Sequence, residues 1–239
     1  MKKTFKGLVN KQRLVISLDL STYCNAACPQ CHRTNPKGLE KNDFLPLIQW
    51  SLADFIKAFP EKNMQKFANF NFCGTWGDPV MNKDIFEICE YIIENSDCTI
   101  GIHTNGSIRD PSWWTELGLA CGSRLVTVFA VDGVDQETHS KYRQKTDLDL
   151  ILKNVTAIAK TRSEVRFHTI VFKHNEDQLK DIEEMARELG ATSILYTKSD
   201  RFRGKTTKRF KFAKGEEVDY LEPSTKELRK WNVKLTATG

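Results

Sequence analysis

The sequence predicts an α/β fold built on a parallel sheet. Three observations predict it. Strand-type and helix-type patterns alternate about six times along the 239 residues. Alternation of this kind pairs strands in parallel and lays the helices outside. The segments richest in cysteine, glycine and small polar residues follow strands directly, where parallel α/β folds build their sites. An open doubly wound sheet and a partial barrel both satisfy this pattern.

Each element has its own signal. Residues 13–21, RLVISLDLS, alternate and are rich in β-branched residues and leucine, which predicts a strand. The loop CNAACPQCHR, 24–33, follows it. Residues 51–59 read as a helix stopped by Pro60, and 67–74 as the second strand. Residues 82–95 place Ile85, Ile88, Cys89 and Ile92 on one helical face. A third strand is expected over 98–104. Residues 110–118 follow as a helix with Asp110 as N-cap and Pro111 in its first turn. Residues 124–133 are a fourth strand, and 147–161 carry Leu148, Ile151, Val155 and Ile158 at helical spacing. Residues 164–172 are a fifth strand. Residues 176–190 are a helix with Gly190 at its C-terminal stop, and 192–198 are a sixth strand. The tail, 199–239, is charged and weakly periodic.

Composition narrows the classes. Apolar residues make up 40% and charged residues 28%, as in a globular protein that buries a sizeable core. No apolar run reaches the roughly 18 residues that span a bilayer. The start, MKKTFKGLVNKQR, has no apolar h-region, so no signal peptide is expected and the expected compartment is the cytoplasm. Seven cysteines, three of them clustered, suit reduced thiols better than a disulfide framework. The net charge of +5 is concentrated in 198–215, where Phe202, Phe210 and Phe212 interrupt the basic residues. A solvated loop or hairpin explains that stretch, and so does a surface for an acidic or nucleic-acid partner.

Cys24, Cys28 and Cys31 are candidate metal ligands. A zinc site would want ligands from two separated loops, and His32, directly after Cys31, is poorly placed to reach the same ion. Soft thiolates favour an iron–sulfur cluster. A [4Fe–4S] cube held by three cysteines keeps one iron open to a substrate or cofactor.

A CxxxCxxC loop after the first strand of a six-fold βα chain resembles the radical S-adenosylmethionine superfamily, over roughly residues 13–198. CGTWGDP, 73–79, is similar to the glycine-rich segment that holds the methionine amino group of the cofactor. HTNGS, 103–107, and AVDG, 130–133, followed by ETHSKYR, 137–143, resemble further cofactor segments. Ala130 stands where relatives often carry serine, and Gln30 where they often carry an aromatic residue before the third cysteine. The resemblance implies a partial (β/α)6 TIM-type barrel over 1–198, with a short charged extension over 199–239. It implies one [4Fe–4S] cluster on Cys24, Cys28 and Cys31. It implies S-adenosylmethionine contacts at Gln30, Thr75, Trp76, Gly77, Asp78, Thr104, Asn105, Asp132 and Arg143. The barrel is similar to the subgroup carrying a SPASM extension, without the cysteines of that extension.

The implied activity is reductive cleavage of S-adenosylmethionine to a 5′-deoxyadenosyl radical that takes hydrogen from a substrate. A low-potential donor such as flavodoxin or ferredoxin would supply the electron. The SPASM-like barrel suggests a peptide or protein substrate, and the basic stretch a nucleotide or nucleic acid. A non-catalytic iron–sulfur or zinc binding protein is the alternative from another class. No general base is evident: His103, His139, His168 and His174 are each more often structural in such positions. Lys173 and Asn175, just past the fifth strand, are placed to face the site.

Overall fold

Six parallel strands curve into a partial barrel with helices on the outside. The computed structural model describes residues 13–202, 209–227 and 232–235. The amino-terminal residues 1–12 and residues 203–208 of the basic stretch lie outside the described residues.

The elements run β1 (Leu14–Leu18), a two-residue antiparallel pair β2 (Thr34–Asn35) and β3 (Glu40–Lys41), α1 (Leu52–Ala58), α2 (Glu61–Met64), β4 (Phe67–Phe72) and α3 (Ile85–Asn95). They continue through β5 (Thr99–Thr104), α4 (Pro111–Cys121), β6 (Leu125–Ala130), α5 (Gln136–Tyr142), α6 (Leu148–Ala159), β7 (Glu164–Val171), α7 (Leu179–Glu188) and β8 (Ser193–Lys198). The tail adds β9 (Phe210–Lys214), β10 (Glu217–Leu221) and β11 (Asn232–Lys234). The main sheet has the order β1-β4-β5-β6-β7-β8-β11. All its pairings are parallel except that of β11, which lies antiparallel on β8.

Local chemistry explains the boundaries. Ser51 and Asp54 form a reciprocal capping box on α1, and Asp110 caps α4 by accepting from the Trp113 amide at 3.0 Å. Each such cap contributes about 1 kcal/mol. The face expected of α3 is the buried one: Ile85, Ile88, Cys89 and Ile92 are all solvent-free. Gly190 takes φ +84°, the left-handed turn that ends α7. Among the described residues no helix is long and apolar enough to cross a membrane.

The described residues of the β9–β10 hairpin and β11 fold back onto the barrel. The β9–β10 hairpin buries Phe212 and Leu221 against Ala26, Ala27, Cys28, Tyr142 and Phe172. The Ala213 amide donates to the Pro36 carbonyl at 2.8 Å. One face of this part of the basic stretch therefore packs over the cysteine loop. Fully buried Glu176 accepts from the Ser224 and Thr225 hydroxyls at 2.8 Å each, which ties the segment after the hairpin to the end of β7.

Candidate functional site

The cysteine loop begins where β1 ends and lies across the C-terminal mouth of the barrel. Cys24, Cys28 and Cys31 line one cavity of about 380 Å³ there, together with the segment after β4 and residues from β5, β6 and β7. The backbone of the glycine-rich segment presses against this loop. The Asp78 amide donates to the Tyr23 carbonyl at 2.7 Å, and a Cβ at Gly77 would collide with the carbonyl oxygens of Ser21 and Tyr23. Only glycine permits that approach. Asp19, just past β1, accepts from the Thr75 and Trp76 amides at 2.8 and 3.3 Å and holds the other half of the segment.

Asp78 is the hub of the cavity wall. Its carboxylate accepts from the Thr104 hydroxyl at 3.0 Å, the Asn105 amide at 2.8 Å, the Asn105 side chain at 2.7 Å and the Val80 amide at 3.0 Å. Burial pushes its pKa up to about 6, although those donors favour the charged form. Asn105 Nδ2 also reaches Asn25 Oδ1 at 2.8 Å and Cys24 Sγ at 3.9 Å. One asparagine thus joins the third strand, the acidic residue and the cysteine loop.

Arg143 enters the cavity from the end of α5. Its Nε donates to Asp132 Oδ2 at 2.6 Å, and Asp132 Oδ1 accepts from the Ile170 amide at 2.7 Å. Burial works against the guanidinium charge, but Asp132 and Cys28 more than offset it, so Arg143 holds its proton more firmly than usual. Its charge lies over the Tyr142 ring, 5.0 Å from the centroid.

The structure gathers Cys24, Cys28, Cys31, Thr75, Gly77, Asp78, Thr104, Asn105 and Arg143 on this one cavity. Gln30, Trp76 and Asp132 stand outside its lining. Asp132 is solvent-free and acts from behind, through Arg143. Gln30 is 3% exposed; its Oε1 accepts from the Ser199 hydroxyl at 2.6 Å, and its buried Nε2 has no acceptor among the described residues. Trp76 packs between His32 and Phe44, with ring centroids 6.0 and 6.2 Å away.

The lining also includes residues that the motifs did not single out: Arg33, Cys73, Val128, Ile170 and Arg201. His103 and His168 line it as well. Burial lowers both histidines, His168 to about 4, and His168 Nε2 lies 2.8 Å from the Thr197 hydroxyl. His139 is structural: buried in α5, it accepts from the Asp132 amide at 3.2 Å. Asn175 is structural too, donating to the Asp132 and Ile170 carbonyls at 2.9 Å each, and Lys173 turns away to Glu176. His174 stacks on Phe172 at 5.4 Å between centroids.

The donor set has the chemistry of an iron–sulfur cluster. Among the described residues no three His, Cys, Asp or Glu side chains converge on one point, as single-ion ligands do. Three soft thiols nevertheless share one cavity wall. Burial pushes Cys28 up to about 11 and Cys24 higher still, so these thiols hold their protons at neutral pH until a metal displaces them.

Fold and cavity define the chain as a parallel-stranded partial barrel with a three-thiol loop at its C-terminal mouth. No family model matches it. It is 24% identical over 188 residues to the AdoMet-dependent heme synthase of Methanosarcina barkeri, covering 78% of this chain and 50% of the relative. It is 22% identical over 188 residues to the GTP 3',8-cyclase of a Synechocystis strain, covering 78% and 54%. The chain therefore spans about half the length of the curated relatives it matches. Streptococcus suis SuiB bound to S-adenosylmethionine has a similar fold, with a TM-score of 0.64, 16% identity and coverage of 86% of this chain and 44% of SuiB. SuiB has also been solved with its precursor peptide SuiA. The sequence similarity to an AdoMet-dependent heme synthase and the fold shared with an S-adenosylmethionine-bound structure agree with the resemblance to the radical S-adenosylmethionine superfamily.

Proposed function

We propose that this chain supplies the catalytic barrel of a radical S-adenosylmethionine enzyme that modifies a peptide or protein. The observation that carries the reading is the single cavity on which three loop thiols meet the Asp78–Thr104–Asn105 network and Arg143. Cys24, Cys28 and Cys31 would hold three irons of a [4Fe–4S] cluster. When bound, the cluster and S-adenosylmethionine supply reductive cleavage of the sulfonium C–S bond and a 5′-deoxyadenosyl radical that takes hydrogen from the substrate.

The chain's own residues bind, orient and shield. Thr75, Gly77 and Asp78 would meet the cofactor's amino group, with Asp78 oriented by Thr104 and Asn105. Arg143, held by Asp132, would grip the carboxylate; its planar fork suits a bidentate contact. Gln30, whose buried amide still has donor capacity, would serve the cofactor from the loop. The hairpin residues Phe212 and Leu221 shield the loop from water. The electron would come from a low-potential donor such as flavodoxin or ferredoxin.

The peptide reading is supported by the similarity to SuiB, which binds a precursor peptide. A nucleotide or nucleic-acid substrate is the second reading. It is favoured by the relative named GTP 3',8-cyclase and by the basic residues after β8. The test is anaerobic reconstitution of the protein, reduction with S-adenosylmethionine, and mass spectrometry for 5′-deoxyadenosine, followed by incubation with candidate peptides and oligonucleotides.

A further inference from the structure

The charges around the cavity are unequal. Asp78 is the one carboxylate among the described lining residues, whereas Arg33, Arg143 and Arg201 also line it. Two of the three guanidinium groups are already engaged. Arg143 is fixed by Asp132 and places its charge beside the Cys28 thiol. Arg33, 8% exposed, donates from Nε to the Thr22 carbonyl at 3.1 Å and places its charge beside the Cys24 thiol. Asp78 and Arg143 answer the ammonium and carboxylate of the cofactor.

Arg201 has no such work. It lies on a short 3-10 turn (Asp200–Phe202) directly after β8. Its backbone amide donates to Ser199 Oγ at 3.3 Å, and that hydroxyl donates to Gln30 at 2.6 Å, so the turn is tied to the cysteine loop. Its guanidinium makes no hydrogen bond or ion pair with any described side chain. The residue is exposed yet lines the cavity, which puts it at the mouth. His103 and His168, on the same lining, carry no negative charge in either protonation state and so cannot balance the arginines. Arg201 also opens the stretch 201–214, which contains no acidic residue at all.

We infer that the substrate presents an anionic group, a carboxylate or a phosphate, and that Arg201 receives it at the cavity mouth. The inference rests on the proposed function, because that reading assigns Arg143 to the cofactor. The guanidinium at the mouth is open to an incoming anion, and its five donors fit either oxyanion. Approaching anions would be drawn toward Arg201, faster at low salt.

The test is site-resolved protection from phenylglyoxal, which modifies arginine. The cluster-reconstituted protein with bound S-adenosylmethionine is treated in a non-anionic buffer, alone, with inorganic phosphate or with acetate. Modification at each arginine is read by peptide mass spectrometry. An anion at about four times its dissociation constant should slow Arg201 about fivefold. Arg162, exposed and outside the cavity, should keep its rate. Protection by phosphate alone assigns a phosphate-bearing substrate, protection by acetate alone a carboxylate, and protection by both supports an oxyanion site that takes either. Equal slowing at Arg162, or no protection of Arg201 by either anion, overturns the inference. Binding of S-adenosylmethionine is measured on the same sample by equilibrium dialysis. Lost cofactor binding with Arg201 still protected breaks the proposed function and not the anion site.

Discussion

Arg143 and Asp132 form a buried ion pair, Nε to Oδ2 at 2.6 Å, in which the arginine side chain is 13% exposed and the aspartate side chain solvent-free. Asp132 is thereby a positioning residue: it fixes the guanidinium that faces the cavity and also accepts from the Ile170 amide. Asp132→Ala removes one partner of a buried pair and strands the other. It should cost about 3–5 kcal/mol in chemical denaturation. The same variant should weaken S-adenosylmethionine binding. Unchanged stability would show that Arg143 finds another anion.

Asp78 gives a pH signature. Its folded pKa, about 6, stands above that of an unfolded aspartate, about 3.9. Between these values the folded chain binds more protons than the unfolded one, so stability falls as pH rises. Stability from Asp78 is present below pH 4 and is lost as pH passes 6. Measured against Asp78→Asn, which does not titrate, the protein should lose about 2 kcal/mol between pH 4 and pH 7. A stability difference that is constant across that range would contradict the raised pKa.

Gly77 tests the seam between the glycine-rich segment and the cysteine loop. Gly77→Ala drives a Cβ into two backbone carbonyls and should destabilise by about 1–3 kcal/mol, with the cysteine loop displaced. Gly38→Ala, where a Cβ meets only the Glu40 side chain at 3.7 Å and beyond, should fall within about 0.5 kcal/mol of the parent. Equal effects at the two glycines would remove the seam from the account.

The cysteines divide by place. Cys24→Ala, Cys28→Ala and Cys31→Ala should each lose iron after anaerobic reconstitution. Cys89→Ala, buried beside Cys121 on the helical layer, should keep it. Cys73→Ala is the sharper control, since Cys73 lines the same cavity from the end of β4. It should retain iron to the level of the parent, read by colorimetric iron and sulfide analysis. Iron loss in Cys73→Ala equal to that in the loop variants would enlarge the ligand set.

The parallel core was legible because its strands and helices each carry one strong period. Phe67, Phe70 and Phe72 on β4 and the Ile85–Ile92 face of α3 declared themselves, and the six strands stand where the alternation puts them, to within a few residues. The segments that escaped notice have weak periods for physical reasons. Helix α5 has only seven residues, and its buried positions are His139 and Tyr142, so no apolar stripe marks it. Strand β11 is a three-residue edge with one half-buried side chain, Val233.

The site was legible where a loop motif gathers its residues and illegible where the barrel does. The three cysteines, the Thr75–Asp78 segment and the Thr104–Asn105 pair are local in sequence. His168, Ile170 and Arg201 reach the same cavity from β7 and the turn after β8, and only closure of the sheet brings them there. Asp132 was visible as a residue, but its place behind Arg143 depends on how α5 folds back over β6 and β7.

The central claim is that three loop thiols and the Asp78 network form one cofactor site. Its most direct measurement is 5′-deoxyadenosine production by the anaerobically reconstituted, reduced protein with S-adenosylmethionine. The account predicts 5′-deoxyadenosine and methionine in equal amounts from the parent, and neither from Cys28→Ala. A protein that takes up stoichiometric zinc, incorporates no iron and sulfide, and yields no 5′-deoxyadenosine would contradict it.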